Sequence, residues 1–411
     1  MLPFSPLAAD DEARTNTVTA QNALAQAQGM FDQLVAWRRD FHRHPELGLE
    51  EFRTARLVAE ALAIWGYEVR EGIGKTGVVG LLHNGPGPVV MVRVDMDALL
   101  IQEDSDACYA SKVPGIMHAC GHDAHVAMGL GIAQLMSEAR DAWSGTLKMV
   151  FQPGEEGRRG AELMIQDGVL DDPRPEAVLA LHVWNSRPYG TVGATPGPVM
   201  AGAETWEATI SGRGGHAAHP EKTVDPLLTA ALTVVNLQTI VSRNTGAQQT
   251  AVVTAGALQS GEAFNVIPDQ AILRGTVRTY DKDVRATVLK RLEEVITGTA
   301  HMMGAQAQVE VNMLTPALVN DARMTALVQE VVVDLLGSGA LVADERTMGS
   351  EDAAYFLQAV PGCYIFVGSG FVGQAERPHH NPHFDFDERA MVNGVAVTIE
   401  ALRRLMASAG A

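Results

Sequence analysis

The chain has 411 residues, 46% hydrophobic and 19% charged, so it is apolar enough to bury a core but too long for one core; roughly 150 residues per domain predicts at least two domains. Asp and Glu outnumber Lys and Arg by 49 to 31, and no stretch gathers Lys or Arg into a basic face, which argues against nucleic acid or an anionic membrane as partner. Three cysteines, Cys108, Cys120 and Cys363, are too few for a disulfide framework and point to a reducing, cytoplasmic setting.

The opening MLPFSPLAADDEARTNT carries no Lys or Arg ahead of its short apolar stretch, so it does not read as a signal peptide. Residues 1–25 read as a flexible tail. No run of 18 apolar residues occurs, which argues against a membrane span. Over residues 26–65, Leu34, Trp37, Leu57, Val58 and Leu62 recur at helical spacing around the turn-like HPELG, predicting two helices. Apolar runs at residues 77–82, 89–94, 146–151 and 177–183 predict buried strands with helices between them. That alternation is the signature of an α/β sheet covered on both faces, in which functional groups gather beyond the carboxyl ends of the strands. Asp95 and Asp97 follow one such strand, Glu155 and Glu156 a second, and His182 closes a third.

Residues 201–314 change rhythm. The strand TWEATIS, a helix over residues 225–243, the strands QQTAVVTAG and AILRGTVRT, a helix over 284–303 and the strand QAQVEVNM give the order βαββαβ. This is a ferredoxin-like domain inserted into the larger one, which occupies residues 26–200 and 315–411. The larger domain resumes with a helix over 322–336, the strand CYIFVGS and a C-terminal helix over 388–406.

Four segments carry chemistry. In HACGHDAH, Cys120 and His122 lie two apart at the start of a helix, whose positive end together with a cation would favour a thiolate ligand; a buried structural cysteine is the plain alternative. In QPGEEG, two adjacent carboxylates follow a buried strand, which is costly unless a cation lies nearby, so Glu156 reads as a ligand and Glu155 as a general base with a raised pKa. A solvated acidic turn would look the same. His182 in LALHVWN follows an apolar strand, where a core histidine is the commoner occurrence, and His380 in RPHHNPHFDFDE belongs to a proline-framed histidine cluster that could also be a surface loop. Together Cys120, His122, Glu156, His182 and His380 supply S, N and O donors from four separate elements. Such a mixture suits zinc, with manganese, cobalt or nickel as alternatives, and five donors with one bridging carboxylate suit two divalent ions rather than one. Asp97 would orient an imidazole, and so joins Glu155 among the catalytic candidates.

The ordered motifs RRDFHRHPELGLEE, DMDAL, MHACGHDAH, QPGEEG, LHVW, GRGGHAAHP, FNVIPD, GTVRT, MGSEDAAYF and HHNPHFDFDE resemble the amidohydrolase branch of the aminoacylase and carboxypeptidase G metallopeptidases, the hippurate hydrolases and indole-acetyl-amino-acid hydrolases. The resemblance implies a zinc-peptidase-like three-layer catalytic domain with the inserted domain serving as lid and dimerisation module. It implies Cys120, His122, Glu156, His182 and His380 as ligands, Glu155 as base, and His216, Asn265 and Arg278 as substrate contacts; His379 is then the bystander of the adjacent pair. The implied activity is hydrolysis of N-acetyl, N-benzoyl or similar N-acyl amino acids by a homodimer in which His216 reaches the partner's site. A small-peptide metallopeptidase and a non-catalytic binding protein on the same fold are the alternatives. A Cys120-nucleophile hydrolase would not need metal, and a nucleobase deaminase would need a Pro-Cys-x-x-Cys stretch, which this chain lacks.

Overall fold

The structure is a computed structural model and describes residues 20–407. The chain begins with helices α1 Ala20–Gly29, α2 Phe31–Arg43 and α3 Phe52–Ile64, then strands β1 Glu68–Ile73, β2 Gly77–Asn84 and β3 Val89–Asp95. Helix α4 His122–Glu138, strand β4 Gly145–Gln152, helix α5 Gly160–Gln166 and strands β5 Ala177–Pro188 and β6 Val192–Gly193 follow. After β7 Gly197–Met200 come β8 Gly202–Ser211, β9 Gly215–His216, α6 Pro226–Thr239, β10 Ala251–Gln259, β11 Val266–Ile267, β12 Gln270–Thr279, α7 Lys282–Met302 and β13 Gln306–Thr315. The last stretch is β14 Leu318–Asn320, α8 Ala322–Leu336, β15 Leu341–Val342, α9 Ala354–Ala359, β16 Gly362–Gly370 and α10 Ala390–Leu405.

Two compact units result. The first contains the described residues up to Gly197, Val319–Glu345 and those from Tyr355 onward. Its sheet runs β1-β2-β4-β3-β5-β16-β6-β15, with β4, β3, β5 and β16 mutually parallel at the centre. Parallel strands covered on both faces are apolar throughout rather than alternating. Val90, Val92, Val94, Leu179, Leu181 and Val183 join one large core with α1 to α4, α8 and α10, while the alternate residues Met91, Val178 and Ala180 are buried on the opposite face. Helix α4 is buried from His122 to Met136, all round its circumference, which marks a central helix rather than a surface one. Gly129 lets it sit close to the sheet, since a Cβ there would lie 2.8 Å from Val94 Cγ2.

The second unit, Pro198–Leu318 with Arg346–Ala354, carries an antiparallel sheet of order β10-β12-β8-β13. Helix α7 buries Val284, Val288, Leu292, Ile296 and Ala300 at four-residue spacing against Trp206, Ile210, Leu273 and Val277 of that sheet. Such a spacing keeps one stripe on the core side.

Three expectations change. Residues 20–25 belong to α1 rather than to a tail, because Ala23 and Ala27, one turn apart, form a small buried ridge that a search for large apolar side chains passes over; residues 1–19 lie outside the described residues. Strand β1, mostly exposed, carries too few apolar residues to be seen as a strand. His182 lies inside β5 rather than closing it, since the strand continues to Pro188 in register with β16. Among the described residues no helix is long and apolar enough to cross a membrane.

Candidate metal centre

The site is assembled by parallel register. β3 pairs Asp95 with Gln152 of β4, and Arg93 with Ala180 of β5. The segments just beyond β3 and β4 therefore leave the sheet level with each other, and His182, two residues past Ala180, falls at the same height. Helix α4 starts at this edge with His122, and Gly121 before it has φ +87°, a left-handed turn in which a Cβ would lie 2.4 Å from Val183 Cγ2. Only glycine fits between Cys120 and His122.

The ring nitrogens of the histidines differ in what they meet. His122 presents Nδ1 to Asp97 Oδ1 at 3.1 Å, which leaves Nε2 buried and without a hydrogen-bond partner. His182 donates Nδ1–H to the Val183 carbonyl at 2.6 Å and points Nε2 at Cys120 Sγ, 3.5 Å away. Both imidazoles anchor Nδ1 and turn Nε2 away from that anchor, His182 toward the Cys120 sulfur, an orientation that suits a metal ligand. His125 is different: its Nε2 accepts from the Val183 N–H at 2.9 Å while Nδ1–H donates to Asp95 Oδ1 at 2.5 Å, so both nitrogens are engaged.

Donor atoms of Cys120, His122 and His182 all lie within 4.8 Å of one another, as do those of Cys120, Glu156 and His380, and those of His122, Glu155 and Glu156. These trios overlap, Cys120, His122 and Glu156 each belonging to two of them, and such a set of donors fits a pair of cations. Asp97, which orients His122, also accepts from the Glu156 backbone N–H at 2.9 Å and so fixes the carboxylate loop. His380 reaches Glu156 Oε1 with Nε2 at 3.1 Å, and its backbone N–H donates to the Ala119 carbonyl. Its φ of +60° is a left-handed conformation that a histidine adopts at some cost and that clusters at functional sites.

The electrostatics of the metal-free site differ from donor to donor. Burial, then the Glu156 and Glu155 carboxylates, push the Cys120 thiol well above its ordinary pKa. Burial holds the His182 imidazole well below its ordinary value, so it stays neutral with a lone pair available. His122 is raised to about 10: burial opposes this, but Asp95 and Asp97 outweigh it. Asp95, despite burial, is held well below the carboxylate range by His122, His125 and Arg93. A buried thiol ringed by carboxylates is where a dication would be stabilised most.

The structure thus brings together Cys120, His122, Glu155, Glu156, His182 and His380, with Asp97 beneath them. His379, the expected bystander, accepts from the Asn185 N–H at 3.3 Å through Nε2 and packs on Trp184 and Phe384. The three substrate candidates lie in the second unit. His216 and Asn265 are exposed neighbours, since β9 pairs with β11 and the Ala217 N–H donates to the Asn265 carbonyl. Arg278 is half-buried on the central strand β12, opposite Ala203 and Val252. His125 is a part of the site that its motif alone does not assign, although its three-residue spacing from His122 puts both rings on one helix face.

A family model described as peptidase family M20/M25/M40 matches residues 91–404. Over 381 residues the chain is 40% identical to IAA-amino acid hydrolase ILR1-like 4 of Arabidopsis thaliana, covering 91% of this chain and 86% of that one. It is 38% identical over 377 residues to N-acetyl-L-cysteine deacetylase of Bacillus subtilis strain 168, covering 92% and 89%. The crystal structure of Bacillus subtilis YXEP protein, a dinuclear metal binding peptidase from the M20 family, superposes with a TM-score of 0.81 at 33% identity, covering 92% of this chain and 99% of that one. Overlapping donor trios at the carboxyl edge of a parallel sheet and similarity along nearly the whole chain lead to one conclusion: the chain belongs to peptidase family M20/M25/M40, in its amidohydrolase branch.

Proposed function

We propose that this enzyme hydrolyses the amide bond of N-acyl amino acids, releasing a carboxylic acid and a free amino acid, with two zinc ions held by Cys120, His122, Glu156, His182 and His380. The observation that carries this reading is the pair of donor trios sharing Cys120 with Glu155 adjoining them. Two bound cations would supply Lewis acidity toward the amide carbonyl and acidify the attacking water. Glu155 takes the proton from that water and passes it to the departing nitrogen. Asp97 holds the His122 tautomer and the Glu156 loop in place. His216 steadies the oxyanion, and Arg278 or Asn265 binds the substrate carboxylate.

The enzyme works as a homodimer in the cytoplasm. All three cysteines are free thiols, in keeping with a reducing compartment. The edge strands β10 and β13 of the second sheet, and the exposed Leu227, Leu228 and Val235 of α6, offer a surface for a second copy. The test is metal analysis of the purified protein combined with a turnover screen of N-benzoyl, N-acetyl and indole-acetyl amino acids against dipeptides. Two equivalents of zinc and preference for N-acyl substrates are expected; turnover confined to dipeptides, or unaffected by a chelator, rejects the reading.

A further inference from the structure

Arg38, near the middle of α2, is completely buried, and its guanidinium faces three carboxylates, two of them through hydrogen bonds. Nε donates to Asp123 Oδ2 at 2.8 Å, one terminal nitrogen donates to Glu388 Oε1 at 3.2 Å, and the other lies 3.6 Å from Asp385 Oδ1. Its Cζ lies over the rings of Tyr109 and Phe386, 4.5 and 4.6 Å from their centroids. Asp123 also meets His42 Nδ1 at 2.8 Å, and the Tyr109 hydroxyl donates to Asp385 at 3.1 Å.

Burying a guanidinium carries a desolvation cost that its carboxylates seldom more than offset, and an apolar cluster of equal volume would serve stability as well. What the arrangement provides is a fixed geometry. Asp123 follows His122 directly, at the start of α4, while Asp385 and Glu388 close the segment that begins at His380. These ligand-bearing segments are far apart in sequence, and one planar cation with a rigid fork binds both.

We propose that Arg38 is a positioning residue for the metal centre, setting the separation between His122 and His380 through Asp123 on one side and Asp385 and Glu388 on the other. The inference rests on the ligand assignment proposed above. Arg38 touches neither ion nor substrate. Its loss would loosen the trios while leaving every ligand present, and outer partners of metal ligands typically alter affinity by about 10–100-fold. Lysine restores the charge but not the fork.

The test is cobalt(II) titration of the metal-free protein, following the cobalt–thiolate charge-transfer band and the ligand-field bands, for wild type, Arg38→Gln, Arg38→Lys and Glu388→Gln. A matched control is Lys148→Met, which removes another buried cation of the same unit, one whose Nζ donates to the carbonyls of Val169, Asp171 and Pro173. Arg38→Gln should weaken cobalt binding about 10–100-fold and alter the ligand-field bands, with Arg38→Lys recovering part of the loss. Lys148→Met should keep wild-type affinity at a comparable fall in Tm. If Arg38→Gln does not fold, Glu388→Gln, at the partly exposed edge of the cluster, should still weaken binding several-fold. Wild-type affinity and spectra in the folded Arg38 and Glu388 variants, or an equal loss in Lys148→Met, overturn the proposal. Absence of the thiolate band in wild type overturns the ligand assignment on which it depends.

Discussion

At the scale of single residues, the second nitrogen of each imidazole decides its role. His122, His182 and His125 differ in what that nitrogen meets: no hydrogen-bond partner in His122, where Asp95 Oδ2 lies 3.7 Å away, a thiol in His182, a backbone N–H in His125. Glu155→Gln keeps the shape and removes the proton shuttle, so metal content should be retained while kcat falls by roughly 10²-fold or more. Near-normal turnover in that variant would remove Glu155 from the mechanism. Cys120→Ser replaces a donor shared by two trios with an alcohol that stays protonated at neutral pH, and plasma-emission analysis should find it depleted in metal after dialysis. Full occupancy with lost activity would revive a thiol nucleophile. These residues were legible because their chemistry is compressed into short motifs. The network of Arg38, His42 and Asp123 was not, because a buried Arg reads like a surface one until its partners, some 350 positions away in the case of Glu388, are placed beside it.

At the scale of elements, two turns hold the centre in shape. Gly121→Ala would force a Cβ into Val183 in a left-handed turn, a strain of about 1–3 kcal/mol. A Tm lowered by several degrees, with weakened metal binding, is expected from thermal melts with and without zinc; an unchanged melt would show that the α4 start can shift freely. The second turn is secured by Glu51, which accepts from the Leu49 and Gly154 N–H groups and from the Thr76 hydroxyl, so that the segment ahead of α3 grips the loop carrying Glu155. Burial, reinforced by the nearby Asp97 charge and opposed by the hydrogen bonds, raises its carboxyl from 4.5 to about 7. A carboxyl whose folded pKa lies above its unfolded value contributes stability that is complete below the unfolded value and lost as pH rises through the folded one. The Tm of metal-free wild type relative to Glu51→Gln should therefore fall between about pH 4.5 and 7 and level off above; a difference that grew with pH would contradict the assignment. The buried strands β2 to β5 were readable from composition, since strands buried on both faces are uniformly apolar. β1 and α1 were not, the one being mostly exposed and the other packing through alanines.

At the scale of the whole molecule, the proposed dimer makes a quantitative prediction. If His216 completes the partner's site, mixing Glu155→Gln with His216→Ala and allowing exchange should restore about a quarter of wild-type activity, because each mixed dimer keeps one intact site. Confirmed exchange without recovery would place His216 in its own chain's site. Fold class was legible here from the order of elements alone, the βαββαβ run being self-contained. Which strands neighbour which was not: β16 lies beside β5 at the middle of the sheet, although the second unit separates them in the chain.

That neighbourhood governs the order in which the protein can fold. Leu179 of β5 must wait for Cys363 of β16, and α4 must wait for α10, whose residues are buried almost end to end. During synthesis the second sheet emerges as one contiguous stretch, from β8 to β13, while the first is still an open half-sheet whose closure spans a long loop. Pulse-labelling hydrogen exchange should show amides of β8 and β12 protected before those of β5 and β16. A ribosome stalled before β16 would hold a finished small domain beside an apolar edge with no strand to cover it, which makes the last fifty residues the step on which aggregation and productive folding diverge.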